Sequence, residues 1–107
     1  MSLRILHVLD HSLPLHSGYT FRTLAILREQ RALGWQTVHL TTPKQGAGDI
    51  LQEEVDGWLF HRTPSASDSG LLSQMRLTAR RLQELVRATR PDLIHAHSPV
   101  LNALPSL

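Results

Sequence analysis

Apolar and polar positions follow two rhythms along this chain. Residues 3–9 (L-R-I-L-H-V-L) form a short apolar run that stops at Asp10, the pattern of a strand buried in a parallel sheet. A loop follows, marked by Pro14 and closed by Gly18. Residues 19–33 are good helix formers, and Gly34 supplies a C-terminal stop. Residues 36–41 (Q-T-V-H-L-T) alternate and are rich in β-branched side chains, which predicts a second strand. Residues 57–62 (G-W-L-F-H-R) predict a third, after a loop with two glycines at 43–49. Residues 63–70 form a polar turn, and 71–89 give the clearest helix. Its Leu72, Met75, Ala79, Leu82 and Val86 fall at spacings of three and four, while Gln74, Arg76, Arg80, Arg81, Glu84 and Arg87 fill the other face. Pro91 ends that helix, residues 93–97 (L-I-H-A-H) predict a fourth strand, and residues 99–107 open another helix.

The helix over 19–33 is less regular. Tyr19, Thr23, Ile26 and Leu33 share one face, interrupted by Gln30, and Phe21, Leu24, Ala25 and Ala32 make a second. A helix apolar on two sides touches two things, and here one is expected to be the sheet and the other a part outside this chain. The alternation strand, helix, strand, strand, helix, strand calls for parallel strands joined by right-handed crossovers. The expected fold is therefore α/β, a Rossmann-like three-layer sandwich whose parallel sheet runs in the order 3-2-1-4.

Length and composition narrow this picture without changing it. The 107 residues suffice for one modest domain, with 41% hydrophobic and 19% charged residues, ordinary values for a soluble protein. The formal charge is only +2, and no block of like charges resembles a nucleic-acid arm or a polybasic membrane patch. Cysteine is absent, which excludes disulfides and thiolate metal sites. No apolar run approaches the ~20 residues of a membrane span. The opening residues lack the charged-then-apolar pattern of a leader, so a cytoplasmic protein is expected. Seven histidines, at 7, 11, 16, 39, 61, 95 and 97, are the unusual count, and most fall in or beside predicted strands.

In an open parallel sheet, ligands bind beyond the carboxyl ends of the strands, where the strand order reverses. The first and fourth strands flank that point here, and their exits are residues 10–18 and 97–99. The first exit ends in Ser17-Gly18 at a helix N-terminus, whose free N–H groups favour anions or hydroxyls; a turn with a capping serine explains the same residues. Neither a G-x-G-x-x-G fingerprint nor a P-loop is present. The second exit carries His95 and His97, which the two-residue period of a strand places on one side. Such a pair can bind a metal, transfer protons, or simply hydrogen-bond; it lacks the third ligand that a zinc site needs. A neutral imidazole donates with one nitrogen and accepts with the other, which suits sugar hydroxyls.

The succession R-I-L-H-V, a loop ending in a small residue plus glycine, a helix ending in L-G before T-V-H-L-T, and R-P-D-L-I-H-A-H-S-P resembles the N-terminal domain of family 4 glycosyltransferases. The loop S-L-P-L-H-S-G-Y-T-F-R-T is similar to the subgroup associated with bacterial exosortase and exopolysaccharide clusters. The similarity runs through essentially all of the chain. It implies a retaining, GT-B type enzyme with two Rossmann-like domains facing a cleft. The N-terminal domain would hold a glycan or lipid-linked acceptor, and the other domain the nucleotide-sugar. By this resemblance Gly18 lies against donor phosphates or acceptor, and His97 faces the transferred sugar as the catalytic residue. Ser17, which stands where many members have a first glycine, joins Gly18, His16, Arg22 and Ser98 as candidate substrate-binding residues, with His11 behind them. The family uses positive side chains and helix dipoles on the leaving diphosphate, so neither metal nor cofactor is implied.

The resemblance also implies that residues 1–107 are an acceptor-side fragment, inactive without a nucleotide-sugar domain, in a protein that could lie peripherally at the inner face of the membrane. An end at Leu107 is expected to leave the fourth strand as an edge, with Leu93, Ile94, Val100, Leu101 and Leu104 uncovered and copies associating through it. Two other classes compete: a stand-alone flavodoxin-like binding or interaction domain, and a histidine-based metal protein.

Overall fold

The computed structural model describes residues 3–9, 12–13, 17–42, 51–64 and 70–97. In chain order they form β1 (Arg4–Leu9), α1 (Gly18–Ala32), β2 (Gln36–Thr41), β3 (Gln52–Val55), β4 (Trp58–His61), α2 (Leu71–Thr89) and β5 (Leu93–Ala96). The sheet runs β3-β4-β2-β1-β5. Its four parallel strands keep the expected 3-2-1-4 order, with β1 paired to β2 on one side and β5 on the other, and β2 paired to β4.

The addition is β3, antiparallel to β4, with Val55 opposite Trp58 across a two-residue turn. Asp56 and Gly57 occupy that turn with φ of 53° and 82°, the pair of positive values that a type I′ hairpin needs. Being an edge strand, β3 needs no apolar alternation, and its Gln52, Glu53 and Glu54 show none. The Asp-Gly pair is the sequence signal that marks it.

The two helices pack on opposite faces of the sheet. Leu82 and Leu85 of α2 join Leu6, Val8 and Leu40 in one core cluster. Leu24 and Leu27 of α1 join Leu13 and Phe60 in the other, with Val55 and Trp58 packed against it. This is the three-layer α/β arrangement. The helix faces are shifted from those expected. In α1 the buried positions are Thr20, Thr23, Leu24 and Leu27, whereas Phe21 and Leu33 are exposed. In α2 the buried line passes through Thr78, Leu82 and Leu85, and Leu72 is exposed. Threonine belongs inside because its hydroxyl returns to the helix: Thr23 Oγ1–H donates to the Tyr19 carbonyl, and Thr78 Oγ1–H to the Gln74 carbonyl.

The amino end of the sheet is tied by Arg4. Its guanidinium donates to the Gln36 side chain at 2.7 Å and to the Thr89 carbonyl at the C-terminus of α2, where a cation meets the negative end of the helix dipole. Asp92 closes the same corner, accepting from the Arg4 N–H at 2.8 Å and returning its own N–H to the Arg4 carbonyl at 2.7 Å. Among the described residues β5 is the outer strand, and its Leu93 and Ile94 are exposed; Val100, Leu101, Leu104 and the helix expected over 99–107 lie outside the described residues.

Arg62, just past β4, is fully buried. Its donors reach Ser12 Oγ at 2.6 Å, the Leu13 carbonyl at 2.7 Å, Thr41 Oγ1 at 3.3 Å and Glu53 Oε1 at 2.7 Å. One guanidinium thus joins β2, β3 and the segment that follows β1. Removing one partner of a buried ion pair leaves the remaining polar groups unsatisfied, at a cost of about 3 kcal/mol. Arg62→Met is expected to lower the stability measured by urea unfolding by about that amount, and Arg62→Lys to recover only part, because an ammonium cannot span the same fork of acceptors.

Candidate functional site

The carboxyl ends of β1, β2, β4 and β5 lie along one side of the sheet because these strands are parallel. α1 begins on that side, and His97 follows β5 there with its N–H donated to the Val8 carbonyl at 3.0 Å. Gly18 and His97 therefore share one end of the sheet, as the strand-exit argument expects.

Each expected residue has a definite place or falls outside the description. Ser17 is the N-cap of α1, and its Oγ accepts from the Thr20 N–H at 3.1 Å, so the capping role holds. Gly18 is exposed at the first helical position. A Cβ built there meets nothing within 4 Å, and its φ is not in the left-handed region. Neither backbone nor packing asks for glycine at this position. Arg22 is exposed one turn later, 6.0 Å from the Tyr19 ring centroid, and its charge helps to hold His97 neutral. His16, Ser98 and His11 lie outside the described residues.

The structure adds His7, which sequence reasoning had left in the apolar run of the first strand. His7 and His95 are register partners on β1 and β5, so both project on the α1 face together with His97. The His95 and His97 rings stack with centroids 3.9 Å apart, and the His7 ring lies 5.3 Å and 5.1 Å from them. Gln30 Oε1 accepts from His7 Nε2–H at 2.7 Å. The neutral His7 ring therefore has a lone pair on Nδ1, and His97 Nε2–H donates to it at 2.8 Å. Burial is the main reason the His7 and His97 rings stay uncharged. It pushes His97 down to about 3, helped by His95, His7 and Arg22. It pushes His7 down to about 4 against the opposing Gln30 hydrogen bond.

A second chain of hydrogen bonds runs beside the first. Arg31 Nε–H donates to Thr37 Oγ1 at 2.9 Å, Thr37 Oγ1–H to His39 Nε2 at 2.7 Å, and His39 Nδ1–H to the Leu59 carbonyl at 2.8 Å. The Arg31 guanidinium also lies 4.4 Å from the Trp58 ring centroid.

Comparison with known proteins assigns the chain to a family. The model of the family described as the glycosyl transferase 4-like domain matches residues 17–107. The chain belongs to that family. No curated protein and no solved structure matches it. Membership gives this glycosyl transferase 4-like domain a glycosyltransferase role in general terms, with a nucleotide-sugar and an acceptor as the partners such a role entails. Among the described residues no helix is long and apolar enough to cross a membrane.

The buried imidazoles make the stability of the glycosyl transferase 4-like domain depend on pH. His39, facing Arg31, His7 and His61, is held at about 4 against an ordinary 6.5, mainly by burial, and His7 likewise, facing His95, His97 and Gln30. Between those values the unfolded chain binds protons that the native state does not. Stability is thus complete above pH 6.5 and falls as the pH drops toward 4, by up to about 3 kcal/mol per ring. Urea midpoints measured from pH 7 to 4 are expected to fall across that interval, and His39→Gln to flatten the decline.

Proposed function

We propose that this domain is the acceptor-side half of a retaining, GT-B type hexosyltransferase, which moves a sugar from a nucleotide-sugar to a glycan or lipid-linked acceptor. Bacterial exopolysaccharide synthesis at the cytoplasmic face of the membrane is the setting that its loop sequence suggests. The observation that carries this reading is that the first turn of α1 and His97 lie at the same, carboxyl, end of the parallel sheet. A glycine at 18 that the fold itself does not require supports it, since the absent side chain lets a ligand approach the backbone at the positive end of the helix.

In this reading the chain Gln30–His7–His97 sets the chemistry of the last ring. Because His97 Nε2–H is committed to His7, the neutral ring keeps Nδ1 as its acceptor for a sugar hydroxyl. Arg22 and the α1 N-terminus supply positive potential for an anionic donor or acceptor group. The nucleotide-sugar would be held by a second Rossmann-like domain across the cleft. A fixed neutral imidazole stabilises the transition state through a preformed dipole and makes no demand for ring protonation.

Transfer from nucleotide-sugar to acceptor by the full-length gene product is the test. His97→Ala is expected to lower turnover by about 100-fold, the loss typical of removing one preorganised polar contact. Gly18→Ala is expected to raise KM while leaving the unfolding midpoint unchanged or slightly higher, because alanine is the better helix former and meets no neighbour. Unchanged turnover in His97→Ala, or activity and stability falling together in both variants, would reduce these residues to packing and capping. Acceptor binding with no transfer from any donor would favour a stand-alone binding module.

A further inference from the structure

We propose that His7, His95 and His97 together bind a divalent transition-metal ion of the zinc class. Each offers one ring nitrogen, and the three lie within 4.8 Å of one another. Sequence spacing gives only the pair at the end of β5, His95 on the strand and His97 just after it; the parallel register of β1 and β5 brings the third from a position 88 residues away from His95 in the chain. Three imidazoles, two on hydrogen-bonded strands and one just after β5, form a nitrogen-only donor set, which suits Zn2+, Ni2+ or Cu2+ and not Mg2+ or Ca2+. The set leaves at least one coordination position for water or a ligand oxygen.

Two details distinguish this cluster from histidines that merely pack. The first is the partner behind His7. Its Nε2–H is donated to Gln30 Oε1, and an outer carbonyl on the far ring nitrogen is what fixes the tautomer and aim of a metal-binding histidine. The second is the 2.8 Å approach of His7 Nδ1 to His97 Nε2, where one proton bridges two lone pairs. An ion takes the place of that proton, which moves to His97 Nδ1. The two nitrogens then need to separate only to roughly 3.3 Å, the spacing of ligands in a tetrahedral zinc site with bonds near 2.05 Å. His95 is exposed, so an ion can reach the cluster from solvent. The ion would also turn His97 Nδ1 from acceptor to donor. Metal binding and the sugar contact proposed above therefore draw on different tautomers of one ring.

Titration of the untagged 107-residue chain with ZnCl2, after removal of metal by chelation, tests the site without any sugar substrate, so its outcome is independent of the transferase reading. One Zn2+ per chain with micromolar or tighter affinity is expected. His95→Ala is the cleanest variant, because the exposed ring contributes little to the core, and it should weaken binding by at least about tenfold. Gln30→Ala, which frees the far side of His7, should weaken it by about tenfold, the usual effect of losing an outer partner. His61→Ala, outside the cluster, should leave it unchanged. Circular dichroism shows whether each variant is folded, and Co2+ as a second probe should give the visible absorption of a low-coordinate nitrogen site that His95→Ala removes. No binding up to millimolar Zn2+, or an affinity in folded His95→Ala and His97→Ala equal to that of the unsubstituted chain, overturns the proposal.

Discussion

On the α1 side of its sheet, this protein buries hydrogen-bonding side chains where a parallel sheet ordinarily buries aliphatic ones. His7, Thr37, His39, Thr41 and Arg62 are all inaccessible to solvent or nearly so. In so dry a layer an unmatched donor or acceptor costs on the order of 1–3 kcal/mol, so partners must come from elsewhere in the chain. They come from every direction. α1 gives Gln30 and Arg31, β3 gives Glu53, and the segment after β1 gives Ser12 and the Leu13 carbonyl. The other face centres on an aliphatic cluster of Leu6, Val8, Leu40, Leu82 and Leu85. α2 packs on an aliphatic core, with Arg81 adding bonds to the Arg62 and Leu51 carbonyls, whereas α1 and the hairpin combine apolar contact with polar matching across the layer.

That difference explains which parts of the fold were legible in the sequence. α2 was read over its full extent because an aliphatic core requires an amphipathic stripe, even though the stripe proved to be centred on Thr78 and Leu85. α1 was located, but its buried face was missed. A helix lying on a polar layer buries threonines, and hydrophobic periodicity cannot register them. β3 left no alternation because an exposed edge strand needs none; only the turn at Asp56-Gly57 records it. Arg62 is the last residue of the third predicted strand, and nothing local marks it as a buried hub, since its acceptors lie up to 50 residues away.

The candidate site was legible in part for the same reason. The two-residue period put His95 and His97 side by side, and the crossover pattern put His97 at the same end as Gly18. His7 was hidden inside an apolar run, where a histidine looks like a core residue. Its significance rests on register, and register is a property of two strands that no local pattern contains. The serine at 17 was named both as a cap and as a ligand contact; the cap is present, its Oγ accepting from the Thr20 N–H, and Gly18 is the residue at that helix start whose identity the fold leaves unexplained.

Placing the polar layer beneath the carboxyl end of the sheet has a chemical consequence. At the amino end, Arg4 and Asp92 satisfy the backbone of β1, β5 and α2 through exposed or half-buried bonds, which water could replace at small cost. At the carboxyl end, each ring nitrogen bond fixes the protonation state of the next: Gln30 sets His7, and His7 sets His97. A tautomer chosen by a buried amide does not fluctuate with solvent, and a ring held far below its ordinary pKa does not gain charge near neutrality. The domain thus presents a fixed lone pair and an open glycine at one edge, and the cost of organising them is met during folding and not at the moment a ligand arrives. Position 30, on the last turn of α1 and far along the helix from Gly18, controls that edge as directly as any residue that faces it.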